Sequence, residues 1–344
     1  MAVISIAGCY DLHVHTGPSP FKRVGDTIEI GRWCAEAGMA GIVSKVHLDC
    51  SVARAYHANK ALAEDFPEFR VYGAVCLNRA AGGINPAAAE VALDQGGKVV
   101  WFPTFDSAHH AETFGGAGNY GTKGTTVTFK GSRQRGGYKA IDANGKLSGE
   151  AKEVVEIIAA YDGILATGHI SVPEVIALFD YSQKVNLKRF VVTHPDGKVP
   201  GLDLAGMVDL ARGGAFMEFV ATHSFPFVAN VSSYWRREGV TGPVQVEELL
   251  ELCETIGYDR CLISTDGGHI VHPRPDEVLR SLLQSLHERG LSEVAIDQMC
   301  RQNPAWLLGI EKKAPRRARG NGKAADKAVK IGPRLTGGAS RVAA

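Results

Sequence analysis

The 344-residue chain is 45% hydrophobic and 22% charged, which supplies a sizeable core and excludes disorder of the whole. No run approaches the roughly 20 apolar residues of a membrane span, and the opening MAVISIAGCYDLH has no basic leader ahead of a hydrophobic region, so a soluble, cytoplasmic protein is expected. The formal charge of +1 hides an asymmetry: beyond residue 311, ten Lys and Arg stand against Asp326, a tail of +9 on a body of −8.

In chain order, apolar runs alternate with helix signals. A first strand near residues 9–15 precedes a helix from Asp26 to Ala37, closed by Gly38. A second strand, GIVSKVH, precedes a helix from Ser51, and a third, RVYGAVCLN, precedes NPAAAEVALDQGG, with Asn85 as N-cap and Pro86 in the first turn. The fourth strand is KVVWFP. The fifth, DGILATGHIS, leads to a helix at Pro173; the sixth, KRFVVTHP, to GLDLAGMVDLARGG; the seventh is AFMEFVATH. VEELLELCETIG forms a helix before the eighth strand, CLISTDGG, and PDEVLRSLLQSLHERG and LSEVAIDQMC follow it. Eight apolar strands interleaved with helices predict an α/β fold, a (β/α)8 barrel over residues 1–311.

Two segments break the rhythm. Residues 107–147 are Gly-rich with an alternating stretch, GTTVTFKGS, and predict a β-hairpin excursion after the fourth strand. Residues 312–344 are a basic low-complexity tail with no aromatic residue for base stacking and no apolar helix face, so neither a nucleic-acid nor a membrane partner is expected. The seven cysteines show no CxxC spacing and read as reduced packing residues.

Polar residues collect at the strand ends: His15, His47, Asp106, His169, His194, His223 and Asp266. In a barrel those ends form one rim, where barrel enzymes do their chemistry. His13 and His15 stand two apart on a strand and project from one face, so they can converge on one metal ion. His169, His194 and Asp266 complete an imidazole and carboxylate donor set. Zinc is favoured for it, with manganese, iron, nickel or cobalt as other options.

This order of motifs, DLHVH, GHIS, VVTHPDG and STDGG, resembles the amidohydrolase superfamily over residues 1 to about 310, and DLHVHTGPSP and VVWFPTFD resemble an uncharacterised branch of it. The resemblance implies that His13, His15 and His169 bind metal and that His194 binds metal or polarises substrate. It also implies that Asp266 binds metal and takes the proton from the attacking water. A divalent ion lowers the pKa of water from about 15.7 towards 7, and an adjacent carboxylate can shuttle the proton, which makes Asp266 the general base and His194 the electrophilic partner. The fourth strand ends Trp101-Phe102-Pro103-Thr104, without the Lys or Glu that bridges two metals in binuclear members. Lys45 instead contacts substrate or pairs with Asp11 or Asp49, both readings preferred to its carboxylation into a bridging ligand. His47 opens a rival scheme, a multinuclear phosphoesterase.

Arg79, His223, His269, Trp101 and Glu218 are the candidate substrate contacts, with Glu218 also placed to orient a ligand imidazole. Arg79 is preferred over Lys22, Arg23, Arg236 and Arg237 for a substrate carboxylate, because it leaves the third strand directly. His109 and His110 read as exposed loop residues. The expected activity is a hydrolase that uses metal-activated water to open an amide, cyclic amide or lactone bond of a small, carboxylate-bearing substrate, in a homo-oligomer. Non-hydrolytic decarboxylation and an inactive metal-binding barrel are the alternatives.

Overall fold

The computed structural model describes residues 3–116, 136–224 and 246–310. The first half of the chain alternates strand and helix: β1 (Tyr10–His15), α1 (Thr27–Glu36), β2 (Gly41–Lys45), α2 (Val52–Leu62), β3 (Arg70–Tyr72), β4 (Ala74–Cys76), α3 (Pro86–Asp94) and β5 (Val99–Trp101). After α4 (Ala108–Phe114) come α5 (Gly149–Ala160), β6 (Ile164–Ala166), α6 (Val172–Lys184), β7 (Arg189–Thr193), α7 (Leu204–Arg212), β8 (Phe216–Val220) and the short α8 (Ala221–Ser224). The series ends with α9 (Val246–Ile256), β9 (Cys261–Ser264), α10 (Pro275–Glu288), α11 (Glu293–Asp297) and α12 (Asn303–Leu307).

All strand pairs are parallel, in the orders β1-β2-β3 and β4-β5-β6-β7-β8-β9. β3 and β4 are the single third strand of the sequence reading, interrupted at Gly73. A Cβ there would lie 2.4 Å from the Val52 Cα, so the backbone of α2 presses against the strand where only glycine fits. β1 lies beside the end of β9: Val14 forms a parallel bridge with Gly267, and the His15 N–H donates to the Gly267 carbonyl at 2.9 Å.

Both faces of the strands are buried, which is why they read as continuous apolar runs rather than alternating ones. On β7, Phe190 and Val192 join the core under the helices, while Val191 joins a second cluster with Leu12, Val43, Val99, Trp101 and Leu262. The helices start where the sequence marks them. Asp26 caps α1 by accepting the Ile28 and Glu29 N–H groups at 2.8 Å, and Glu29 returns the bond to the Asp26 N–H. Asn85 caps α3, with Pro86 opening it.

Residues 107–147 are described only in part. They open with a helix, α4, capped by Ser107, and close with an antiparallel bridge between Ile141 and Leu147. GTTVTFKGS and the basic tail lie outside the described residues, as do Arg236 and Arg237. His223 sits on α8 and not in the seventh strand, which ends at Val220. Among the described residues no helix is long and apolar enough to cross a membrane.

Candidate metal centre

β1 carries His13 and His15 to one side of the sheet, and an irregularity sets their reach. Asp11 pairs with Ile42 and Val14 with Ser44, so β1 advances three residues against two on β2. His13, inside that bulge, donates its N–H to Asp11 Oδ1 at 3.0 Å. The same carboxylate accepts the Thr265 N–H at 3.1 Å and the Thr265 hydroxyl at 2.5 Å. Asp11 therefore ties the bulge of β1 to the residue before Asp266. Burial outweighs these hydrogen bonds and pushes its carboxyl up to about 6.

Asp266 and His194 follow β9 and β7 in left-handed backbone, at φ +51° and +31°. Asp266 Oδ1 lies 3.0 Å from His13 Nε2 and 2.8 Å from His15 Nε2. These three residues offer donor atoms within 4.8 Å of one another, a group that can hold a metal ion. Thr222 donates its hydroxyl to Asp266 Oδ2 at 3.4 Å. Burial alone would raise the Asp266 carboxyl, but His13, by charge and hydrogen bond, leads the opposing effects, and the carboxyl is held well below the usual carboxylate range.

The proton arrangement fits a cation. Burial and the nearby Arg23 charge depress His15 well below its ordinary value, so its ring is neutral, and its Nδ1 donates to the Lys45 carbonyl at 3.1 Å. The Nε2 lone pair then faces the Asp266 carboxylate at 2.8 Å, a contact between two electron-rich atoms that a positive ion between them would relieve. His13 Nδ1 lies 3.2 Å from Glu218 Oε2, and Glu218 Oε1 accepts the Ser264 hydroxyl at 2.9 Å. A buried carboxylate behind an imidazole is the usual device for aiming its other nitrogen at a metal. Burial and Lys45 would lower the pKa of His13, but the Asp266 and Glu218 carboxylates raise it overall.

His194 Nδ1 donates to the Val199 carbonyl at 2.8 Å, and burial together with His223 depresses its pKa strongly. Its Nε2 thus carries a lone pair. The His169 ring centroid is 5.0 Å from that of His194, and the His169 backbone N–H donates to the Pro103 carbonyl at 3.0 Å. Neither histidine belongs to the tight group formed by His13, His15 and Asp266.

Lys45 is 1% exposed and pairs with neither Asp11 nor Asp49; Asp49 is bound by Arg54 at 2.7 Å. From the end of β2 its Nζ reaches His13 Nε2 at 2.7 Å and stands 5.0 Å over the ring of Trp101. Burial lowers its pKa. Trp101 lies on the inner cluster below it, and its indole N–H has no acceptor among the described residues.

His47 stands beside the group. Asn78 Nδ2 donates to Thr104 Oγ1 at 2.7 Å, and the same hydroxyl lies 3.0 Å from His47 Nδ1, while the ring lies 4.5 Å from that of His15. His269 accepts from the Arg23 guanidinium at 2.7 Å, and its ring is 4.9 Å from His15. His223 stands 5.1 Å from His194, ring to ring. Arg79 is exposed and gives its backbone N–H to Asp106 Oδ2 at 2.8 Å, whereas Arg23, the less favoured candidate, lies against the histidines. His110 corrects the reading of an exposed loop: it is fully buried, because α4 packs its N-terminal turn against His169.

Residues 8–218, more than half of the chain, match the model of a family of unknown function, DUF6282. The chain belongs to this family. Among curated proteins, none matches the DUF6282 chain. Among solved structures it is similar to an amidohydrolase from Pseudomonas aeruginosa, at 12% identity over 88% of this chain and 95% of that one, with a TM-score of 0.55. It is also similar to the probable dipeptidase PvdM from Pseudomonas aeruginosa, at 14% identity over 88% and 94% of the two chains, with a TM-score of 0.56. An organophosphorus hydrolase from Deinococcus radiodurans shares 15% identity over 89% and 93%, with a TM-score of 0.51. These likenesses are of fold, and they bear out the amidohydrolase resemblance at that level for the DUF6282 chain.

Proposed function

We propose that the chain is a metal-dependent hydrolase on a closed (β/α)8 barrel spanning residues 1–311, opening an amide, cyclic amide or lactone bond of a small, carboxylate-bearing substrate. The convergence of His13 and His15 on one oxygen of Asp266, at the ends of β1 and β9, carries this reading. The similar folds of a dipeptidase and an organophosphorus hydrolase support hydrolysis as the class.

His13, His15 and Asp266 would hold the ion, with His169 and His194 facing it from the ends of β6 and β7. A divalent ion in this donor set, zinc by preference, supplies Lewis acidity to a carbonyl and acidifies water. Asp266 is the base: its carboxylate is ionised across the neutral range and Thr222 fixes Oδ2, the oxygen turned away from both histidines. Lys45 Nζ, seated between His13 and Trp101, hydrogen-bonds a substrate oxygen, and the Trp101 N–H adds a second donor. Arg23 and His269 meet the substrate's anionic end at the mouth.

Elemental analysis of the untreated protein, with turnover of a panel of dipeptides, cyclic amides and lactones, tests the reading. Stoichiometric divalent metal is expected, with turnover of a panel member abolished in Asp266→Asn. A protein that neither carries nor takes up a divalent ion refutes it, as does unchanged turnover in the variant.

A further inference from the structure

His169 is gripped twice by the first turn of α4. Ser107, its N-cap, donates its hydroxyl to the His169 carbonyl at 2.7 Å and also accepts the His110 N–H at 3.0 Å. His110 then lays its ring on that of His169, centroids 5.0 Å apart and planes 17° from parallel, with the two Nδ1 atoms 2.9 Å apart. Both rings are buried, at 0% and 3% exposure. Two neutral imidazoles can share such a contact in one way only: one Nδ1 carries the proton and the other accepts it. Burial first, and then the neighbouring His110 and His194, hold His169 well below its ordinary pKa.

We propose that His110 is a positioning residue for the metal centre: its Nδ1 accepts the His169 Nδ1–H, which fixes the tautomer and leaves the His169 Nε2 lone pair aimed at the ion. The inference rests on the metal-centre reading given above. It gives α4, in a segment that interrupts the strand and helix alternation, a definite task. The outer partner of a ligand imidazole is usually a carboxylate or a backbone carbonyl, as Glu218 is to His13 and the Val199 carbonyl is to His194. His169 has a second imidazole in that place. It follows that the order of α4 and metal affinity are linked: whatever holds His110 in place strengthens binding, and binding holds α4 in return.

The test compares wild type with His110→Leu and His110→Asn, using zinc ion alone as the probe in competition with a chromogenic chelator. Asn is the informative replacement because its Oδ1 occupies the place of the imidazole Nδ1 and can only accept. His110→Leu should weaken zinc binding by about 10- to 100-fold, and His110→Asn should recover most of that loss. Hydrogen exchange across residues 108–114 should slow on zinc addition in wild type. Nitrogen NMR of the wild-type imidazoles should show His169 protonated on Nδ1, a measurement that holds even if the Leu variant does not fold. Wild-type zinc affinity in His110→Leu, or a His169 proton on Nε2, overturns the proposal while leaving the metal centre standing. A wild-type protein that binds no zinc, manganese, nickel or cobalt overturns both.

Discussion

Asp11→Asn isolates the charge of a fully buried carboxyl while keeping its shape. In the wild type, Asp11 Oδ1 accepts both the His13 and the Thr265 N–H groups, and Oδ2 accepts the Thr265 hydroxyl. An asparagine oxygen at Oδ1 keeps the two backbone bonds; only the hydroxyl must turn, at a cost of about 1 kcal/mol. The charge acts through pH. The folded state raises the carboxyl from 3.8 to about 6, so it retains a proton that the unfolded chain has released. That stability is fully present below the unfolded pKa and is lost as pH rises through the folded one. Two units at 1.36 kcal/mol each make the whole change about 3 kcal/mol, roughly half of it falling between pH 5 and 7.5. The asparagine variant has no such loss. In urea unfolding with a chelator present, so that no nearby ion holds the carboxylate ionised, Asp11→Asn should gain roughly 1.5 kcal/mol on wild type between pH 5 and pH 7.5 and be the more stable of the two at pH 7.5. A difference that stays constant, or one in which the variant loses ground as pH rises, would refute the reasoning, since either would mean that the fold does not favour the neutral carboxyl.

Gly268→Ala should destabilise by about 2–4 kcal/mol in urea unfolding, because φ is +96° and the new Cβ would lie 1.9 Å from the His15 carbonyl oxygen. Gly96→Ala, at φ +93° with nothing within 4 Å, carries backbone strain alone and should cost about 1 kcal/mol. Equal losses at the two positions would contradict the close approach of β1 and the loop after β9. Glu218→Gln keeps the volume but weakens the acceptor behind His13, and should lower zinc affinity by about 10-fold in chelator competition. Zinc at a hundredfold excess over its dissociation constant should stabilise the fold by about 2.7 kcal/mol, read as a rise in melting temperature that EDTA reverses. Absence of any shift would count against a metal centre.

The strand-end residues were legible because parallel strands buried on both faces leave little room for polar side chains except at their ends. His13 and His15 stood out for that reason, and so did Asp266, which structure brings to within 3.0 Å of both. The order of strands and helices followed from apolar runs and caps such as Asp26 and Asn85. What escaped depends on how separate elements dock. The bulge at His13 is a matter of register against β2, and no pattern within β1 announces it; the one trace is a carboxylate, Asp11, inside an apolar strand. His110 looks like any loop histidine until α4 packs it on His169. Lys45 had two acidic candidates, Asp11 and Asp49, yet the direction in which its strand end points gave it His13 instead. The choice of nitrogen on His194 rests on the carbonyl of Val199, five residues on, where side-chain identity carries no signal.

The left-handed backbone at His194 and Asp266 bears on how this protein can change. Aspartate enters that region with modest difficulty and histidine with more, while glycine and asparagine enter it readily. Both positions would therefore accept replacements that relax the chain and make it sturdier while removing a donor from the centre. A lineage freed from the need for its chemistry, or a laboratory library sorted by heat resistance alone, would drift towards Gly or Asn at exactly these two places. A heat-selected library that leaves both untouched would instead indicate that their side chains hold the fold together.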